Sequence, residues 1–277
     1  MLLHRLTLIF AIAGLPGCES MPGLETPELS FSPQLILYEL KGDAKMQSAL
    51  GNQVASIHSR DFGAGDGDSS YGGILGYGDG FSGFEATYYR YDLDGSGTGT
   101  LGSDFGNVPA GSTVKAEFKM NEYRLGYTAE IFRHSFAIRE DQEDMLLRLG
   151  LGAALTHRDG DFRVSRNSPQ GNSGDQQKFN FDDDGLPYGT VRARADYLGL
   201  GLQLDYAINP DLTFGSDFDG AMQDLGVTLI YNFVDQGVEL TAGWRRSEIP
   251  TQGGENGLAF DTDFRLEGFI LGLTASF

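Results

Sequence analysis

The segment LRLGLGAALT, Leu147–Thr156, decides the fold. Read at the two-residue period of a β-strand, it puts Leu147, Leu149, Leu151, Ala153 and Leu155 on one face. The other face carries Arg148, Gly150, Gly152, Ala154 and Thr156. Such a strand suits an apolar solvent on one side and a crowded interior on the other. The pattern recurs in Leu225, Val227, Leu229, Tyr231 and Phe233. It recurs again in Val238, Leu240, Ala242 and Trp244, set against Glu239, Thr241, Gly243 and Arg245. The last two segments flank Asp235-Gln236-Gly237 and read as a hairpin.

Working outward, about ten segments of this kind appear near residues 34–49, 70–78, 83–95, 113–131, 145–165, 188–208, 211–221, 224–234, 238–248 and 260–277. In three of them the apolar set changes phase partway. Val114, Ala116, Phe118 and Met120 give way to Tyr123, Leu125 and Tyr127, the run Val191–Tyr197 gives way to Leu198, Leu200, Leu202 and Leu204, and Phe260–Leu266 gives way to Phe269, Leu271 and Leu273. A one-residue bulge is the expected cause in each. Short connections at Asp79–Ser82, Asn209-Pro210 and Asp235–Gly237 alternate with long ones at 51–69, 96–112, 166–187 and 249–259, while Phe132–Asp144 runs long on the short side. Alternating short turns and long loops around an even number of strands predict an all-β fold: a closed antiparallel transmembrane β-barrel.

Composition agrees by exclusion. With 20 Lys+Arg against 39 Asp+Glu the formal charge is −19, which disfavours nucleic acid as a partner. A single Cys forbids an internal disulfide and a cysteine-based zinc site. A mean hydropathy of −0.24 shows no apolar helix, but a barrel hides its lipid face by alternation.

The N-terminus reads as a targeting segment. Arg5 precedes an apolar run, Leu6–Ala13, too short to span a bilayer, so residues 1–17 are expected to be a cleaved signal and 18–33 a Pro-containing spacer before a barrel over 34–277. Leu15-Pro-Gly-Cys18 resembles a bacterial lipobox, which implies lipidation of Cys18; cleavage after Ala11-x-Ala13 is the alternative. Glu19 at the next position does not signal retention in the inner membrane by the same resemblance.

The final segment, GFILGLTASF (Gly268–Phe277), has apolar residues at alternate positions and ends in Phe277. It is similar to the C-terminal insertion signal of bacterial outer-membrane proteins. Residues from about 30 to 277 resemble small single-chain outer-membrane β-barrels, the lipobox being a departure from most of them. The resemblance implies a Gram-negative outer membrane, lipid and lipopolysaccharide as surroundings, the barrel-assembly machinery as a partner, and a monomer.

Candidate functional residues follow from the face opposite the lipid. Arg148, Arg192, Arg194, Arg245 and Arg265 are expected to pair with acids such as Asp196, Asp205, Asp217, Glu239 and Glu267 and to plug a narrow lumen, because an unpaired buried charge is costly. Lys115, Glu117, Lys119 and Arg124 are expected to face inward with them. The favoured reading is a structural barrel, or one that binds through its loops. A narrow channel for small solutes and a membrane-embedded hydrolase are the alternatives. For the last, His58, His134 and His157 remain after signal removal, but no paired base and nucleophile is evident, so no catalysis is expected. Asp92–Thr98 opens like a calcium loop, yet Ser103 stands where the closing Glu belongs, and neither metal nor cofactor is expected. Tyr88, Tyr89 and Tyr91 suit an interfacial girdle.

Overall fold

The computed structural model describes residues 27–47, 54–59, 68–94, 98–137, 144–167, 176–183, 185–212, 217–218, 220–233, 237–255 and 258–277. The signal segment and Cys18 lie outside the described residues. Ten long antiparallel strands close into a ring: β1 (Glu28–Gln47), β3 (Asp68–Gly78), β4 (Gly83–Asp94), β6 (Thr113–Phe136), β7 (Met145–Arg166), β9 (Leu186–Tyr197), β10 (Leu200–Asn209), β11 (Met222–Phe233), β12 (Val238–Glu255) and β13 (Leu258–Ser276). Pairing of β1 with β13 and of β6 with β7 completes the circuit. Three short strands, β2 (Val54–His58), β5 (Gly99–Thr100) and β8 (Gln176–Asp182), extend the sheet within the long connections.

Two of the expected bulges are absent, and their absence explains the architecture. Along β6, Val114, Ala116, Phe118, Met120 and Glu122 all point inward, as does Arg124, and pairing with β4 and β7 runs unbroken through this stretch. The backbone keeps its phase; the surroundings invert. In the half of the barrel nearer the long connections, the interior is apolar and the outer face charged. In the other half, the interior is polar and the outer face apolar, with Tyr123, Leu125 and Tyr127 exposed. Strand β13 does the same: Phe260, Phe264 and Leu266 are buried inside, whereas Phe269, Leu271 and Leu273 face out. The register shift that does occur lies lower, between Glu130 and Phe132. Lys115, Glu117 and Lys119 therefore face outward above the apolar band, not into the lumen.

The band is level around the ring. It ends at Leu37 before Glu39, at Tyr88 before Arg90, at Tyr123 after Asn121, at Leu155 before His157, at Trp244 before Arg246 and at Phe269 after Glu267. Register brings Leu37 beside Phe269, Phe269 beside Trp244, and Tyr88 beside Tyr123, so aromatic rings mark the boundary. On β11 the band runs from Leu225 to Phe233. At about 3.4 Å per residue and a tilt of about 40°, that run rises roughly 20 Å, close to the apolar belt of bacterial barrels.

The third phase change is a chain reversal. Leu198 and Gly199 have φ of 52° and 75°, and Tyr197 pairs with Leu200, so 188–208 is two strands joined by a two-residue turn. A turn with both central residues at positive φ matches the twist of a hairpin, but Leu in that place carries none of the usual Asn-Gly signature. Conversely, the described residues within 211–221 form no strand; Asn209 caps this connection by accepting from the Leu212 amide at 2.7 Å. One missed strand and one false one cancel in the expected count. Strand β1 opens at Glu28, inside the stretch expected as spacer, since Leu29 and Phe31 already face out while Ser30 and Ser32 line the interior.

Candidate functional site: the layered lumen

Three layers fill the barrel, and each arises from what its inward positions carry. Nearest the chain termini, Gly, Ser and Thr dominate those positions and leave a cavity of about 420 Å³. The β3–β4 turn folds into its mouth. Asp79 accepts from the Phe81 amide (3.0 Å), the Ser82 amide (2.6 Å) and the Ser82 hydroxyl (3.0 Å), while its other oxygen accepts from Arg148. Burial pushes the Asp79 carboxyl up, but these amides and the Arg148 guanidinium outweigh it and hold the group below its ordinary range. Phe81 is buried under Arg148, whose guanidinium lies 4.3 Å from the ring centre, and its carbonyl accepts from Arg192 at 3.0 Å. Gly150 provides the space, because a Cβ there would meet the Phe81 ring at 3.2 Å.

Above the cavity, at the height of the aromatic girdle, lies a buried charge layer. Each member sits beside an outward boundary residue on its own strand: Glu122 by Tyr123, Arg158 by His157, Arg245 by Trp244 and Asp224 by Leu225. Arg158 and Glu122 are both fully buried. Arg158 donates to Glu122 (2.8 Å), Ser247 (3.1 Å) and the Glu248 carbonyl (3.3 Å). Arg245 bridges Glu122 (2.9 Å) and Asp224 (3.0 Å), and Arg124 reaches Asp224 at 3.0 Å. Three guanidinium groups thus share two carboxylates. Tyr89 and Tyr188 pack their ring faces on the excess cation, at 5.0 Å from Arg245 and 5.2 Å from Arg124.

Over this layer the interior becomes a hydrocarbon plug. Phe118 from β6, Phe162 from β7, Phe179 and Phe181 from β8, and Phe260 and Phe264 from β13 meet across the lumen, with ring centres 4.6–6.2 Å apart in successive pairs. Phe105 and Phe218, from the long connections, close it from above.

The expected charge network is placed unevenly. Arg148 pairs with Glu130 and Asp79, Arg192 with Asp205 (2.6 Å) and Glu85 (2.8 Å), and Arg194 with Asp196 (2.8 Å) and Glu239 (3.7 Å). Arg245 is central, but its partners are Glu122 and Asp224, not Glu239. Arg265 and Glu267 pair with each other at 2.6 Å on the outer face above the band, because β13 keeps its phase there. Asp217 lies in the β10–β11 connection, where its amide donates to the Asp182 carbonyl at 3.2 Å and its carbonyl accepts from the Gln252 amide at 2.7 Å. Glu122, Arg158 and Asp224, the centre of the layer, lie outside the charge network expected from the sequence. Their signal was available in a charged residue recurring on an inward position where the outer face turns from apolar to polar.

The described histidines face away from the lumen. His157 stands on the outer face of β7, stacked on Tyr123 with ring centres 5.9 Å apart, and its Nδ1 contacts the Asp183 carbonyl at 2.7 Å. Asp183 is structural: its carboxylate accepts from the Arg158 and Gly185 amides, both at 2.9 Å. Burial raises its pKa in spite of those donors. His134 is exposed at the opposite rim, 4.3 Å from Phe136. Asp92 faces out and pairs with Arg90 (3.4 Å) and Lys119 (3.6 Å), while the Asp94 side chain and residues 95–97 of the calcium-like segment lie outside the described residues.

No family model and no curated protein matches the sequence. Among solved structures, the chain is similar to the outer membrane protease OmpT from Escherichia coli, at 11% identity and a TM-score of 0.54, covering 94% of this chain and 99% of that one. It is also similar to Neisserial surface protein A (14% identity, 92% and 99% covered, TM-score 0.32) and to a Pseudomonas aeruginosa FadL homologue (9%, 91% and 90%, 0.36). The last two likenesses are loose. The likeness to OmpT is one of fold: a closed antiparallel barrel of the outer-membrane type. Together with the level apolar band, that fold is one that crosses a membrane with its strands.

Proposed function

We propose that the protein is a non-conducting, non-catalytic outer-membrane barrel whose work lies in its rigid body and its outer connections. The sealed lumen carries this reading: a buried charge layer is followed directly by a phenylalanine plug, and ions would have to cross both. The narrow-channel reading would need that plug to part. For the hydrolase reading, the described histidines offer no base inside a cleft, and the protease activity named for OmpT does not transfer at 11% identity. Purified protein in planar bilayers is expected to show no steady ionic conductance. A stable conductance in the unmodified protein would overturn the reading in favour of a solute channel.

The same proposal includes outer-membrane lipid and lipopolysaccharide around the band, the barrel-assembly machinery acting on the segment ending at Phe277, and a monomeric state. It also includes lipidation at Cys18, supported by Leu15-Pro-Gly-Cys18 after the apolar run. Mass spectrometry of the mature N-terminus is expected to find a lipid-bearing Cys18 as the first residue. A bare chain beginning at Gly14 would exclude it.

A further inference from the structure

We propose that the half-lumen below the charge layer is a dead-end binding vestibule for a small neutral polyhydroxylated solute, about the size of a disaccharide, entering from the periplasm. This goes beyond the sealed-barrel reading and rests on it for the closed roof. The cavity, about 420 Å³, lies within the range of ligand sites in proteins. Its mouth is at the end where Glu28, Gly237 and Ser276 stand, and its roof is Arg124, Asp224 and Arg245.

Both the room and the chemistry come from the inward positions. Gly76, Gly126, Gly226 and Gly243 line it from four strands. A Cβ on Gly226 would meet Asp205 Cβ at 3.8 Å, an ordinary van der Waals contact, so a side chain can start from that wall without a clash. Between the glycines stand hydroxyls and amides, among them Thr128, Thr228, Thr241, Gln34 and Gln203. Two buried polar atoms of the lining, Thr241 Oγ1 and Arg124 Nη2, have no hydrogen-bond partner in the protein. A polyol supplies donors and acceptors at many angles and so suits such a wall. Each guanidinium of the lining already has a carboxylate, Arg192 with Asp205 and Glu85, Arg194 with Asp196 and Glu239, Arg124 with Asp224, and Arg245 with Glu122 and Asp224, so an anion would have to displace one of them.

The test is equilibrium binding to the full chain in detergent, with labelled maltose and trehalose as probes and glucose 6-phosphate and lysine as charged counterparts. One saturable site per chain for at least one of the two sugars is expected, with neither charged probe bound. Gly226→Leu, whose Cβ clashes with nothing and whose branches project into the cavity, should abolish binding. Thr228→Val should weaken it by about tenfold or less, the worth of one hydrogen bond, and Thr228→Ser should restore it. Heat-modifiable migration of each variant checks that it is folded. No saturable sugar binding, preference for a charged probe, or unchanged binding in Gly226→Leu and Thr228→Val would each overturn the proposal. Those results would leave the sealed lumen standing, whereas passage of sugar into liposomes would overturn the sealed lumen itself.

Discussion

Replacing Asp224 with Asn is expected to destabilise the barrel by about 3–5 kcal/mol, the range for breaking a buried ionic cluster by removing one member. The sign and size follow from the charge count. Asp224 takes contacts from Arg124, Arg158 and Arg245 and from the Ser247 hydroxyl, so its loss leaves three guanidinium groups around Glu122 alone. Losing a cation is gentler: without Arg124, two cations face two carboxylates. Arg124→Leu in the Asp224→Asn background should therefore recover part of the loss, a positive coupling that a double-mutant cycle isolates. Unfolding in detergent, followed by the fluorescence of the single tryptophan, Trp244, measures both. Equal stability of Asp224→Asn and the parent chain would mean that water screens this layer, and the seal over the vestibule would no longer be credible.

The second large effect concerns the outer face. Leu229 stands at the middle of the apolar run of β11 and is 62% exposed on the barrel surface. Leu229→Arg is expected to cost about 2–4 kcal/mol in a lipid bilayer, the range for a cation near the midplane. Asp161→Arg, on the outer face of β7 above the girdle, should change stability by less than about 1 kcal/mol, as exposed ion pairs do. Refolding into vesicles and titrating with denaturant compares the two. If they cost the same, the inversion from apolar to charged outer face does not mark the membrane boundary.

The two predictions probe the same physical fact, which the alternation recorded and which is easily misread. Val114, Phe118 and Met120 against Tyr123, Leu125 and Tyr127 look like a strand that slips by one residue. A slip would move every side chain to the other face. What changes is the solvent: outside the membrane, apolar groups leave water by turning inward, and within it they meet lipid by turning outward. The strand remains straight and the apolar set switches face at the boundary. Once that is recognised, an inward residue at the switch is buried between a polar cavity and a hydrocarbon plug. Glu122, Arg158 and Asp224 occupy such places.

Sequence alone determined the barrel, the lipid face and the inward direction of Arg148, Arg192, Arg194 and Arg245. Each follows from period, sign of hydrophobicity and turn residues, which are local properties of the chain. Only the tertiary structure decided that Leu198-Gly199 reverses the chain, that Arg265 and Glu267 lie outside, and which carboxylate meets which guanidinium. Those outcomes depend on register around a closed ring. Strands distant in sequence are set at one height there, as Arg245 and Glu122 are on opposite sides of the lumen, and no local pattern encodes how far each strand is shifted against its neighbours.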